Sequence, residues 1–135
     1  MSSGMVSRWP VVVTLPVDAS DRDADGRLTT AAVERLFARA RAAYFDQCAM
    51  VDAPTVEVRK ITARPGDAAP GDGVTVSVSV VEVLRDSFTM ESRIRPADRD
   101  GIAATAWCSL SPGGEVSKAM RDEFIALAHA ASHIH

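Results

Sequence analysis

The chain has 135 residues, of which 47% are hydrophobic, and its formal net charge is -3. A chain of this length is expected to form one domain that buries roughly two-thirds of its unfolded surface. It lacks the basic excess of a nucleic-acid-binding protein, and no apolar run reaches the ~20 residues of a membrane span. The first ten residues have no signal-peptide pattern. We therefore predict a single cytoplasmic domain over residues 1–135, with flexible tails at 1–7 and 132–135.

The cysteines and histidines predict no metal site. Cys48 and Cys108 are far apart and belong to no CxxC pair, so we expect buried free thiols and no disulfide framework. His129 and His133 are four residues apart, a spacing that metals use on a helix, but no Cys or Glu joins them. With His135 they are expected to form an exposed C-terminal end.

The first predicted elements are a strand and a long helix. Trp9–Val17 is β-branched and apolar, and the prolines that bracket it favour an edge strand. Asp21–Asp46 then joins an acid-rich loop to an amphipathic helix, which Thr29 or Thr30 can cap. The helical spacing places one apolar stripe on a single face: Val33, Leu36, Phe37, Ala40 and Tyr44.

Four strands and a second helix are predicted after the long helix. Alternating residues favour strands at Thr55–Ala63, Val74–Leu84, Phe88–Arg95 and Ile102–Leu110. In the first of these strands, alternation puts Val56 and Val58 on one side and Ile61 on the other. Arg64–Gly73 contains two Pro-Gly-Asp units and is predicted to be a hairpin loop or linker. Val116–Ala131 is predicted to be a short helix with this apolar stripe: Met120, Phe124, Ile125 and Leu127.

The predicted order is β-α-β-β-β-β-α. Because the strands follow one another without intervening helices, the pattern favours an antiparallel sheet with helices on one face, the α+β class.

Several short stretches together resemble one protein family. They are RWPVVV, then DRDADG at the start of the helix, ARARAAYF at its end, VRKIT in the next strand, and RDSF. In this combination the chain resembles the hotdog-fold acyl-CoA thioesterases of the 4-hydroxybenzoyl-CoA thioesterase type, including those associated with the Tol–Pal system. The resemblance runs from Arg8 to Phe124, and its most specific part is the acid-x-acid-x-x-Gly loop.

The resemblance implies a fold, an assembly and an activity. The sheet of a hotdog domain wraps around its long helix, two subunits pair edge to edge, and the homodimers often associate into homotetramers. The implied reaction is hydrolysis of an acyl-CoA thioester, with no metal or cofactor beyond the CoA of the substrate.

The resemblance also implies site residues in the loop. Its catalytic carboxylate falls on Asp23, its first acid on Asp21 and its glycine on Gly26. Thioester hydrolysis requires a general base or a carboxylate nucleophile, together with donors for the oxyanion. Asp23 could act as base or nucleophile, and the N–H groups around Gly26, Arg27 and Leu28 could be the donors. The spacing before the loop differs from that in relatives, so Asp18 or Asp21 is an alternative to Asp23.

Further positions come from the same resemblance. Thr30 falls where some relatives carry His or Asn, and Ser87 falls at a position near the active site. The CoA phosphates are expected to meet basic side chains: Arg59, Lys60 and Arg64, with Arg85 as a further candidate. Glu34 is an alternative acid on the helix, as in another hotdog branch.

Three other functions compete with hydrolysis. Thr30 and the altered spacing are also compatible with a hotdog module that binds an acyl-CoA without hydrolysing it. A hotdog dehydratase would pair a His with a carboxylate, but all three histidines lie at the far end of the chain. Asp21, Asp23 and Asp25 followed by Gly26 match the start of an EF-hand calcium loop, although its twelfth position is Ala32.

Overall fold

The computed structural model of the protein describes residues 9–132. These residues form β1 (Val11–Pro16), α1 (Thr30–Asp46), β2 (Glu57–Pro65), β3 (Gly73–Val83), β4 (Phe88–Pro96), β5 (Ala104–Ser111) and α2 (Lys118–Ser132). The predicted order of elements is confirmed. The strands form one antiparallel sheet in the order β1-β3-β4-β5-β2. Flexible tails are predicted at 1–7 and 132–135. Residues 1–7 and 133–135 lie outside the described residues, and Ser132 is the last residue of α2.

Helix α1 forms where its apolar stripe and its cap predict it. Thr29 is the N-cap, and its side-chain oxygen accepts the N–H of Ala32 at 3.1 Å. Leu36 and Phe37 are fully buried, and each of the other predicted stripe residues has at most a few per cent of its surface exposed. Burial of a large apolar side chain is worth about 1.5–3 kcal/mol, so this stripe fixes the helix on the sheet.

The inner face of the sheet supplies the other half of the core. Alternate residues of β3 and β4 point toward α1 and are buried: Val74, Val76, Val78, Phe88, Met90 and Ile94. On β5 three of the inward residues are small, namely Ala104, Ala106 and Cys108, and Ala106 and Cys108 have no exposed surface. Small side chains let the backbone of a helix approach the sheet closely, so α1 crosses the sheet in contact with β1, β3, β5 and β2.

A bulge in β2 corrects the predicted faces of this strand. Val58 pairs with Leu110 and Lys60 pairs with Ser109, so Arg59 is an extra residue in β2. Because the extra residue resets the alternation, Ile61 lies on the same inner face as Val58, opposite Cys108. The prediction that Ile61 faces away from Val58 is therefore wrong.

Helix α2 closes one end of the core with aromatic contacts. Ser117 caps it by accepting the N–H of Met120 at 3.1 Å. The ring of Phe124 lies 4.9 Å from that of Phe88 and 6.2 Å from that of Tyr44. Ile125, predicted to belong to the apolar stripe, is 60% exposed, because it lies next to Phe124 and so points about 100° away around the helix.

No helix within residues 9–132 combines the length and the apolar character needed to cross a membrane.

Three loops meet at the opposite end of the sheet from the β3–β4 turn. They are residues 17–29, residues 66–72 and residues 97–103. Gly66 donates to the carbonyl of Ala103 at 3.0 Å, and Ala68 donates to that of Ile102 at 3.0 Å. The Arg99 guanidinium donates to the carbonyl of Ala69 at 2.6 Å. The segment with the two Pro-Gly-Asp units thus joins β2 to β3 and packs against the loop of residues 97–103.

Replacing Gly66 tests this packing. A Cβ at Gly66 would lie 1.8 Å from the carbonyl oxygen of Ile102, so the two loops must separate in Gly66→Ala. We expect a loss of about 1–3 kcal/mol in the free energy of unfolding, measured by urea denaturation. The matched control is Gly114→Ala, where no atom lies within 4 Å of the added Cβ. Equal stabilities of the two variants would contradict the contact between the loops.

Candidate functional site

The acid loop, residues 18–29, contains a tight turn that depends on a glycine. Asp23 donates its N–H to the carbonyl of Arg27 at 2.8 Å, and Gly26 donates to the carbonyl of Asp23 at 3.0 Å. Gly26 has φ of 79°, in the left-handed region where glycine carries no steric penalty. Arg22 and Leu28 form a bridge at the base of the turn. The predicted loop glycine therefore has a conformational role.

Asp21 anchors this loop to helix α1. It is 8% exposed, and its Oδ2 accepts the N–H of Asp18 at 2.9 Å and the guanidinium of Arg35 at 2.7 Å. The hydrogen bond from Asp18 is the main reason that the pKa of Asp21 lies below its usual value, and Arg35 adds to it while burial opposes it. The backbone carbonyl of Asp21 also accepts the N–H of Thr29, the helix cap, at 2.9 Å.

Asp23 is exposed and uses only one of its two carboxylate oxygens within the loop. Its Oδ1 accepts the N–H of Asp25 at 2.8 Å and that of Arg27 at 3.1 Å. Its Oδ2 has no hydrogen-bond partner among residues 9–132. The side chain is therefore oriented by its own loop, while the second oxygen faces outward.

Two of the three predicted oxyanion donors are engaged elsewhere. The N–H of Gly26 and that of Arg27 are both bonded to Asp23. The bridge between Arg22 and Leu28 uses the N–H groups of Asp23 and Thr29, so the N–H of Leu28 has no acceptor within residues 9–132. In the first turn of α1, the Thr29 side chain binds Ala32 and its carbonyl binds Val33. The N–H groups of Thr30 and Ala31 have no acceptor in the described part of the chain. They lie at the positive end of the helix dipole and are the available donors there.

Two arginines that the sequence did not single out as tethers hold the acid loop against residues 66–72. Arg22 donates to the carbonyl of Gly71 and pairs with Asp72 at 3.6 Å. Arg27 donates to the carbonyl of Gly66 at 2.5 Å. These partners come from a distant loop, so no sequence spacing could have indicated them.

The predicted CoA-binding residues lie along the edge strand β2. Arg59, at the bulge, and Lys60 are exposed. Arg64 is nearer the acid loop, and its guanidinium lies 5.3 Å from the ring centre of Trp107 on the outer face of the sheet. Within residues 9–132, none of the three forms a hydrogen bond or an ion pair with the acid loop.

Ser87 lies at the other end of the sheet from the acid loop. Gly73, at the start of β3, pairs with Pro16 beside the acid loop, whereas Ser87 follows the end of β3. A strand of 11 residues spans roughly 35 Å, so Ser87 and Asp23 are far apart within one chain. Arg85 is at the same distant end and pairs with Glu115 at 3.3 Å.

Neither cysteine has the properties of a nucleophile. Burial raises the pKa of the Cys48 thiol to about 12, with a further contribution from the charge of Glu123. Burial also raises the pKa of Cys108 above its usual value. Since the thiolate is the reactive form, a raised pKa disfavours reaction of both side chains at neutral pH.

The acid loop does not have the architecture of an EF-hand. A strand and a short turn precede it where an EF-hand has a helix, and Asp21 is bound to Arg35. Within residues 9–132 no three potential metal ligands cluster together. His129 is exposed on α2, while His133 and His135 lie outside the described residues.

Solved structures share the fold of this chain. A thioesterase from Thermus thermophilus, complexed with coenzyme A and Zn, matches with a TM-score of 0.76 at 24% identity, over 91% of this chain and 98% of that one. The chain has the hotdog fold. A thioesterase-superfamily protein from Jannaschia sp. CCS1 has a TM-score of 0.73 at 18% identity, over 90% of this chain and 84% of that one. The 1,4-dihydroxy-2-naphthoyl-CoA thioesterase from Synechocystis has a TM-score of 0.70 at 12% identity, over 88% and 98%.

No protein-family model and no curated protein matches the sequence. The hotdog fold that the sequence resemblance implies is confirmed by the structural neighbours, which are thioesterase-superfamily proteins.

The anchoring role of Asp21 predicts a pH dependence of stability. Because its folded-state pKa is below the usual value of 3.8, ionised Asp21 stabilises the hotdog fold above that pH. This stability is lost as the pH falls from 3.8 through the lower folded-state pKa. Asp21→Asn removes the charge at neutral pH, and we expect a loss of about 1–3 kcal/mol there.

The free energy of unfolding is to be measured by denaturation from neutral to strongly acidic pH. The difference between wild type and Asp21→Asn should shrink as the pH falls through this window. Asp25→Asn is the matched control, because Asp25 is exposed on the same loop. A constant difference across the pH range would contradict the anchoring role of the Asp21 carboxylate.

Proposed function

We propose that this protein hydrolyses acyl-CoA thioesters at the N-terminus of α1. The observation that carries the proposal is the open Oδ2 of Asp23, in the loop that leads into the unbonded N–H groups of Thr30 and Ala31. A carboxylate supplies a base or nucleophile, and paired N–H groups at a helix end stabilise an oxyanion. The fold shared with thioesterases supports this choice of reaction.

The reaction uses these groups in two steps. The thioester carbonyl oxygen is placed at the N–H groups of Thr30 and Ala31. Asp23 takes a proton from a water molecule, whose oxygen attacks the carbonyl carbon, and the negative charge develops on the carbonyl oxygen. The C–S bond then breaks, and the proton held by Asp23 passes to the departing thiolate, which releases CoA and the free acid and restores the carboxylate. In the alternative, Asp23 itself attacks the carbonyl carbon and the C–S bond breaks, so CoA leaves as a thiolate and a mixed anhydride forms. Water then hydrolyses the anhydride, which restores the Asp23 carboxylate, and the thiolate takes up the proton released from water.

The tethers of the loop hold Asp23 for this chemistry. Asp21 fixes the loop to α1, and Arg22 and Arg27 fix it to residues 66–72. A base held in place needs no rearrangement when the substrate arrives, which lowers the entropic part of the barrier. The CoA phosphates are assigned to Arg59, Lys60 and Arg64. The absence of a required cofactor and the cytoplasmic location stay predictions.

A non-catalytic acyl-CoA-binding module is the second candidate. Asp23 Oδ1 already binds two N–H groups of its own loop, which is also the pattern of a purely structural carboxylate. Thr30 offers a hydroxyl where some thioesterases of this type have His or Asn. A module of this kind would bind acyl-CoA and release no thiol.

Asp23→Asn tests the catalytic assignment. The amide oxygen of Asn can accept the same two N–H groups from Asp25 and Arg27, so the loop is retained while the basic oxygen is lost. We expect kcat to fall about a hundredfold or more. Thiol release from short, long and aromatic acyl-CoAs measures the rate, with added chelator and with added calcium.

Asp25→Asn is again the control and should keep its activity. If no acyl-CoA is hydrolysed by the wild type but acyl-CoA binds, the module is the correct function. If Asp23→Asn retains full activity, another group is the base. Thiol release that requires calcium would contradict the metal-free reaction.

We also propose that two chains pair through β2. This strand is an edge of the sheet, and Val58 on its inner face is 44% exposed. An unpaired edge strand of nine residues invites another strand, and a symmetric pair would extend the sheet across the dimer. The dimers could then associate into tetramers.

The assembly is tested by sedimentation equilibrium with matched variants on the two edges. A carboxylate buried at a subunit interface is unfavourable, so Val58→Asp should raise the dimer dissociation constant at least about tenfold. Val12→Asp on β1 is the control, because Val12 is 45% exposed on the other edge. A monomeric wild type, or equal weakening by both variants, would contradict pairing through β2.

A further inference from the structure

The outer face of the sheet carries positive charge without ion-pair partners. The residues of β4 and β5 alternate between the buried inner face and this outer face. Toward the end that lies beside the acid loop, the outward charged residues are three arginines and one acid: Arg64, Arg93, Arg95 and Glu91. None of the three arginines forms an ion pair within residues 9–132. Such a cluster, in a chain of net charge -3, favours an anionic ligand.

Two of these arginines flank a threonine. Arg93 of β4 pairs with Thr105 of β5, and Thr105 pairs with Arg64 of β2. Neighbouring strands are about 4.8 Å apart, so the Cα atoms of the two arginines are roughly 10 Å apart, with the Thr105 side chain between them. Guanidinium groups bind phosphate oxygens through parallel hydrogen bonds, and a hydroxyl adds a further donor. This row of three residues therefore has the composition of a phosphate site.

A tryptophan lies next to this row on the same face. Trp107 follows Thr105 by two residues, so it is about 7 Å further along β5. Its neighbours across the strands are Thr62 and Glu91, which have shorter side chains. Trp107 is partly exposed, and the Arg64 guanidinium lies 5.3 Å from its ring centre. An exposed ring among shorter side chains can stack on a planar group of a ligand.

We propose that the nucleotide end of CoA binds on this outer face, with its adenine stacked on Trp107 and its 3′-phosphate between Arg64 and Arg93. This inference rests on the proposed acyl-CoA site. It makes Trp107 the residue that distinguishes CoA from thioester carriers that end in pantetheine alone. The spacing fits, because the adenine and the 3′-phosphate are attached to one ribose and are separated by about the 7 Å between Trp107 and Thr105.

The outer face is reached from the acid loop around the end of β2. The Arg27 guanidinium donates to the carbonyl of Gly66 at 2.5 Å, and Gly66 follows Arg64 by two residues. The acid loop is therefore separated from Arg64 by one arginine side chain and two residues, the latter spanning about 7 Å. CoA carries its thioester and its adenine at opposite ends of a long flexible arm. A thioester at Thr30 and a base at Trp107 can thus belong to one molecule.

The charges favour a nucleotide over a second copy of the chain as the occupant of this face. Two copies stacked through it would bring the arginines of one chain toward those of the other, with one Glu91 in each chain to balance three cations. Pairing of two chains through β2 uses the edge of that strand. The outward side chains of Arg64 and Thr62 remain on the face of the extended sheet.

The binding test uses the nucleotide without the acyl group. Adenosine 3′,5′-bisphosphate is titrated against Trp9→Phe, in which Trp107 is the only tryptophan and a ring is retained beside Arg93. Stacking should quench the Trp107 fluorescence. Adenosine 5′-monophosphate, which lacks the 3′-phosphate, should bind about tenfold more weakly. Arg64→Met and Arg93→Met should each reduce this difference, and Arg39→Met, on α1, should keep it.

The carrier test compares two thioesters that have the same acyl group. Trp107→Leu should raise KM for the acyl-CoA about five- to a hundredfold, because a stacked base is lost. KM and kcat for the acyl-pantetheine thioester, which has no base, should not change. Trp107→Phe retains a ring and should restore part of the affinity for acyl-CoA. Val12→Ala, on the same face of β1, is the control and should behave as wild type.

The outcomes separate this inference from the proposed function. Quenching by the bisphosphate that depends on Arg64 and Arg93, without thiol release from any thioester, supports the inference and contradicts the hydrolase. Thiol release with equal KM for acyl-CoA in wild type and Trp107→Leu supports the hydrolase and overturns the inference. A smaller assembly of Trp107→Leu in sedimentation, with unchanged binding of the bisphosphate by calorimetry, also overturns it, because the face would then join subunits. Tighter binding of a single-stranded oligonucleotide than of the bisphosphate overturns it as well.

Discussion

The position of the acid loop depends on Asp21, the buried carboxylate that joins it to α1. Arg35 is 45% exposed at its side chain, so solvent screens its ion pair with Asp21 and limits the energy of that contact. The N–H of Asp18 and the 10% exposed side chain of Asp21 supply the more protected part of the interaction. Without this anchor, the loop would be connected to the helix only through its backbone, and the geometry of the candidate site would vary.

Three carboxylates in one loop have three different environments. Asp21 is buried and accepts both of its hydrogen bonds on Oδ2, Asp23 is exposed with one oxygen bonded, and Asp25 is exposed and donates its own N–H to Asp23. A carboxylate that is half bonded keeps a fixed orientation and still has an oxygen for a proton or a carbonyl carbon. Asp21 is also bonded through one oxygen but is buried, so among the three only Asp23 combines a fixed orientation with access to solvent, as acid–base chemistry requires.

The fold could be predicted from local sequence patterns, because the apolar stripe of a helix and the alternation in a strand indicate directly which residues are buried. The cap at Thr29 and the buried stripe of α1 match the sequence prediction closely. The face of Ile61 could not be predicted, since the bulge at Arg59 depends on the pairing with β5. The acidic residues of the loop could be identified from the sequence, but their separate roles could not be predicted. The pairing of Asp21 with Arg35 and the tethers from Arg22 and Arg27 join segments whose contact is set by the tertiary fold.

A crystal structure with a non-hydrolysable acyl-CoA thioether tests the central claim most directly. The account predicts the thioether sulfur at the start of α1, with the carbon that replaces the thioester carbonyl carbon beside Asp23 Oδ2 and next to the N–H groups of Thr30 and Ala31. An apolar groove lies at the other end of the sheet, between the end of β3 and α2, and is lined by Val80, Val83, Phe124 and Ile125. An acyl-CoA thioether bound in that groove, with its sulfur far from Asp23, would contradict the account.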